Sequence, residues 1–103
     1  IKYYVMNSSV FYRKTISNVL KIFRVLKKAE DEGRGALTVS EIARESGLHK
    51  WTVSRTVDIW MSHFVESTVL EELEDIGLKI KLVRLSKPDI TEEQILRGLN
   101  IRI

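Results

Sequence analysis

The stretch LTVSEIARESGLHKWTVSRTVDIW, residues 37–60, decides how this chain folds. Thr38 and Glu41 have the S/T-x-x-E spacing of a capping box, which predicts a short helix starting at Val39. Ile42 and Ala43 are its inward residues, and Gly47 stands where a helix stops in the left-handed conformation. Leu48 is an apolar plug in the turn, and a second helix is expected over about residues 49–62. Val53, Val57 and Trp60 recur on its inner face at i, i+4 and i+7. Trp51, Arg55, Asp58 and Ser62 point the opposite way, flanked by Thr52, Ser54 and Ile59. The order is helix, short glycine-containing turn, helix.

On the N-terminal side, Ile16, Val19, Leu20, Phe23, Leu26 and Ala29 form the stripe of an amphipathic helix over residues 14–31, closed by Gly33 and Gly35. Residues 1–13 carry Tyr3, Tyr4, Phe11 and Tyr12 without a helical period and read as an N-terminal arm packing on the body or on a second subunit. On the C-terminal side, FVESTVLEELEDIGLKIKLVRLSK, residues 64–87, reads as a β-hairpin turning at Asp75-Ile76-Gly77. That turn sets Leu70 against Leu82, Val69 against Val83 and Glu71 against Lys81. The rival reading makes TVLEELEDI a helix, because Thr68 and Glu71 repeat the capping spacing. After Pro88, residues 88–103 contain a last helix capped by Asp89 or Thr91, with Ile95 and Leu99 as its apolar side. The fold class expected is mainly α with a small β-hairpin.

At 103 residues, 44% of them apolar and 30% charged, the chain fits one small domain with one core. No run approaches the ~20 apolar residues of a membrane span, and no signal peptide opens the sequence. Without cysteine there is no disulfide framework and no thiolate metal site or nucleophile. The chain opens at Ile1 and stops at Ile103 directly after an apparently ordered stretch, which predicts further residues at both ends. Net charge is only +3, but its distribution is uneven: residues 1–28 hold no acid, and residues 66–75 hold Glu66, Glu71, Glu72, Glu74 and Asp75 with no base. One end therefore attracts polyanions and the other repels them. His49 and His63 lack a metal-binding partner set, so no metal and no cofactor is expected. There is no G-x-x-x-x-G-K-[ST], G-x-G-x-x-G or G-x-S-x-G, and no enzymatic constellation emerges.

Residues 40–55, SEIARESGLHKWTVSR, resemble the helix-turn-helix of winged-helix DNA-binding regulators of the PadR and MarR kind: Ala43, Gly47 and Val53 match that family's small residue, turn glycine and aliphatic residue. Ser46 departs from the larger apolar residue usual there, and His49 replaces the usual serine or threonine cap. The resemblance implies a winged helix-turn-helix domain over residues 14–87, with residues 88–103 as a dimerisation element or a simple cap. It also implies double-stranded DNA as partner, with the second helix in the major groove. His49, Lys50, Trp51, Thr52, Ser54 and Arg55 are then the base-edge candidates. Thr38, Ser40, Lys14, Lys21, Arg24, Lys27, Lys28, Lys79 and Lys81 are the phosphate candidates. Trp51 either stacks on the DNA or folds back over the core edge. The acidic hairpin tip is expected to stand off the duplex, or to meet the basic 13–28 surface of a neighbouring copy. A homodimer held by the aromatic arm and the C-terminal helix is expected, in the cytoplasm on nucleoid or plasmid DNA. Three functions stay open: a transcriptional regulator, a plasmid-partition or architectural protein resembling winged-helix centromere binders, and a winged helix used only for protein–protein contact.

Overall fold

No glycine or proline occurs before Gly33, and one continuous helix, α1, runs over Lys2–Asp31 in the computed structural model of the chain. The structure describes the backbone of residues 2–70 and 80–99 and the side chains of residues 13–70 and 80–99. The expected arm over residues 1–13 is therefore corrected: residues 2–13 are the first part of α1. The sequence offers nothing to stop the helix there, and Tyr4, Phe11 and Thr15 are spaced in the same period as Val19, Ile22 and Leu26. From residue 19 onward, Val19, Ile22, Phe23, Val25, Leu26 and Ala29 are buried and form one side of the core.

The chain continues through β1 (Leu37–Thr38), α2 (Val39–Ser46) and α3 (Lys50–Trp60). The capping box is in place: the Glu41 amide donates to Thr38 Oγ1 at 3.1 Å, and the Thr38 amide donates to Glu41 Oε1 at 3.0 Å. Gly47 ends α2 in the left-handed region, with φ of 77° and its N–H donating to the Ala43 carbonyl. His49 is the N-cap of α3 and makes no side-chain capping bond, as its replacement of a hydroxyl residue implies. Val53, Thr56 and Val57 are buried, while Trp60 is half-buried against the core. The helix closes at Met61, and a tight turn follows in which Phe64 N–H donates to the Met61 carbonyl.

Strands β2 (Val65–Leu70) and β3 (Ile80–Leu85) pair antiparallel, so the hairpin reading stands against the helical one for residues 65–70. The register is a second correction. Ser67 faces Val83, Thr68 faces Leu82 and Val69 faces Lys81, a slip of two residues from the expected pairs. Such a slip keeps every side chain on its own face, so the apolar pattern cannot detect it. The expected turn at residues 75–77, and Glu71 with it, lies outside the described residues. The sheet also has a third strand that the sequence analysis did not expect. β1 pairs with β3, giving the order β1-β3-β2. The central strand buries Val83 and Leu85.

The last helix, α4 (Glu92–Gly98), starts from Thr91 with a capping box to Gln94. It buries Ile95 and Leu99 in this chain's own core. Gly98 approaches Phe64 so closely that a Cβ there would lie 2.5 Å from the ring. The molecule is thus mainly helical with a small three-stranded antiparallel sheet. Among the described residues, no helix is long and apolar enough to cross a membrane.

Gly47 offers a clean test of the turn. A Cβ at Gly47 would meet nothing within 4 Å, so Gly47→Ala suffers backbone strain alone. Urea denaturation should show a loss of about 1 kcal/mol, with Gly47→Asn losing less.

Candidate nucleic-acid interface

The inner face of α3 is spent on the core, which leaves Lys50, Trp51, Arg55, Asp58 and Ile59 exposed and Thr52 and Ser54 half-buried. Trp51 does not fold back over the core edge. It is 69% exposed, and the Arg55 guanidinium carbon stands 5.2 Å from the centroid of its ring. Trp51 is also the wall between two grooves. On one side lie Thr38, Ser40, Lys50, Ser54, Ile80 and Lys81. On the other, α1 supplies Lys14, Thr15 and Asn18, and α3 supplies Thr52, Arg55 and Ile59. Elements far apart in sequence thereby bring most of the expected contact residues around one indole. His49 is exposed at the head of the same helix.

The basic residues of α1 separate into two groups. Lys14, Lys21 and Lys28 are seven apart, which on a helix makes one row with steps of about 10 Å. Lys14 borders α3, while Lys21 and Lys28 line a groove with Glu45 and Ser46 at the end of α2. None of the three makes an ion pair among the described residues. Arg24 and Lys27 are used differently. Arg24 forks onto Glu92 of α4, with Nε 2.7 Å from Oε1 and Nη2 3.4 Å from Oε2. Lys27 donates to the Pro88 carbonyl and pairs with Asp31. Lys81 pairs with Asp58, joining β3 to the outer face of α3. Lys79 lies outside the described residues.

Thr38 and Ser40 border the first groove, yet the Thr38 hydroxyl already accepts the Glu41 amide, and the Glu41 carboxylate sits at the same helix start. The dipole there is offset by that carboxylate. Two residues of this surface were missed in the sequence. Asn18 stands four positions after Lys14 and shares its groove. Arg44 stands four positions after Ser40, exposed and without an ion pair among the described residues. The i, i+4 rule was enough to find both once Lys14 and Ser40 were chosen.

Two carboxylates are held by arginines of the chain. Arg34 forks onto Glu45 at 2.9 and 3.0 Å, and the hydrogen bonding of that guanidinium holds the Glu45 carboxyl below its ordinary value. The bond from Arg24 does the same to Glu92. Among the described residues, no group of three His, Asp or Glu side chains could hold a metal ion. Compared with protein families, curated proteins and solved structures, the chain has no significant match to any of them.

The two lowered carboxyls set a direction for acid sensitivity. A group with a depressed folded pKa stabilises the fold above its ordinary value and loses that contribution as pH falls through the lowered one. Stability measured by denaturant midpoint should therefore fall as the medium is acidified through and below the ordinary glutamate range. Arg24→Gln and Arg34→Gln should each flatten that fall, and both pairs are exposed, so the flattening is small.

Proposed function

We propose that this chain is a winged helix-turn-helix domain that binds double-stranded DNA, with α3 as the helix entering the major groove and the β2–β3 hairpin as the wing. What carries the reading is the partition of the cations. Arg24, Lys27, Arg34, Lys81, Arg84 and Arg97 are tied to carboxylates of the chain itself. Of those without an ion pair among the described residues, Lys50 and Arg55 lie on α3, Arg44 on α2, and Lys14, Lys21 and Lys28 along the flank of α1; Arg13 and Lys87 complete the set. Unpaired lysines in a row beside an exposed helix suit a phosphate backbone, and polar and aromatic residues on that helix suit base edges. Glu45 and Asp58, which would repel a duplex, are both paired.

Transcriptional regulation is the role proposed, from a cytoplasmic site on nucleoid or plasmid DNA. The domain is read as a homodimer, since an inverted repeat calls for two-fold symmetry. In place of an arm, the first part of α1 supplies the helix carrying Tyr3, Tyr4, Phe11 and Tyr12. Sedimentation at micromolar concentration should give a dimer, and a monomer that binds DNA one domain per site would refute that part of the reading.

The DNA reading itself is tested with a labelled duplex of random sequence titrated across a salt series. Affinity should fall linearly with salt on logarithmic axes. Replacing Lys14, Lys21 and Lys28 together by alanine should shrink the slope by up to about 2.7, at about 0.9 per phosphate contact. Arg24→Ala should leave the slope unchanged, because its charge is already spent on Glu92. No duplex binding by the wild-type chain at low salt would leave protein–protein contact as the use of this surface.

A further inference from the structure

We infer that the indole of Trp51 is a positioning residue that holds Arg55 to read a guanine; this deepens the DNA-binding reading and rests on it. Residues four apart on a helix are neighbours, and here the guanidinium carbon stands 5.2 Å from the indole centroid. Stacking uses the flat face of a guanidinium and leaves its in-plane N–H groups unspent. Arg55 makes no hydrogen bond or ion pair among the described residues, so those donors have no protein acceptor.

The nearest competitor is removed by the fold. Asp58 lies three positions on, within reach of an arginine on the same helix face, but it pairs with Lys81 of β3. The Arg55 guanidinium lies over the ring and not on that carboxylate. A planar fork of donors held beside the indole matches one base edge in the major groove. Guanine offers two acceptors side by side, O6 and N7, whereas adenine pairs its N7 acceptor with an N6 donor. Trp51 costs the core nothing in this role, being 69% exposed.

The test combines a measurement on the protein alone with one on DNA. In the NMR spectrum of the DNA-free chain, the Arg55 side-chain protons should be shifted upfield by the indole ring and should return to ordinary positions in Trp51→Ala. Selection of bound sequences from a random duplex pool should return a fixed guanine, and Arg55→Ala should erase that preference, by about 10-fold to 100-fold. Trp51→Ala should weaken binding to the guanine site by about threefold to tenfold more than it weakens binding to random duplex, and Trp51→Phe by less. Trp51→Ala placed on Arg55→Ala should add almost nothing. Equal losses on guanine and non-guanine sites for Trp51→Ala, or Arg55 protons without an upfield shift, would overturn the inference while leaving DNA binding standing. Failure of the wild-type chain to bind any duplex would instead overturn both, whatever the spectrum shows.

Discussion

The helices α2, α3 and α4 and the central strand β3 are laid against the apolar stripe of α1. Val19, Ile22, Phe23, Leu26 and Ala29 are buried along it. The hydrophobic effect fixes which face of α1 turns inward, and its two flanks then acquire different neighbours. One flank meets α4, where Glu92 and the Pro88 carbonyl take up Arg24 and Lys27. The other meets α2 and α3 and holds Lys14, Lys21 and Lys28, none of which makes an ion pair among the described residues. A helix that looks uniformly basic in sequence is thereby divided into a structural flank and an unpaired one.

Exposed ion pairs contribute little to stability, so their placement matters more for the field than for the fold. The bidentate forks of Arg24 and Arg34 add geometric definition at two joints, α1 to α4 and the α1–β1 loop to α2. Arg84 joins β3 to α1 through Glu30, within 3.2 Å. Each of these pairs also silences a carboxylate. With net charge of only +3, a chain concentrates positive potential only by spending its acids where they would otherwise cancel it.

The parts of this structure written in local rules were legible in the sequence. Thr38 with Glu41 gave the start of α2, Gly47 its end, Val53 and Val57 the inner face of α3, and Ile95 and Leu99 that of α4. The parts that escaped depend on partners far along the chain. A two-residue strand such as β1 has no period to read, and it exists because β3 offers Leu82 and Val83 to pair with. The β2–β3 register slipped by two for the same reason that a face-preserving shift leaves no mark on hydrophobic patterning. Arg24 and Glu92 are 68 residues apart, so which lysines and arginines of α1 remain unpaired follows from the docking of α4 and not from α1 itself. The first residues of α1 are rich in aromatic side chains, yet no glycine or proline interrupts them and the helix runs through.

The exposed face of α3 depends on a coupling between that helix and the sheet. Eleven residues make a marginal helix alone, and α3 lacks a side-chain cap at His49, so its order comes from its packing. Val53, Thr56 and Val57 anchor its inner side. On its outer side, Asp58 is joined to Lys81, the second residue of β3, opposite Val69. β3 is in turn held to α1 by Arg84 and by the burial of Val83 and Leu85. The groove beside Trp51 includes both Lys50 of α3 and Ile80 of β3, so its width is set by how those two elements sit together. A contact that displaced β3 would pull on Asp58, one turn from Arg55 on the exposed face of α3, as well as on the buried Val83 and Leu85.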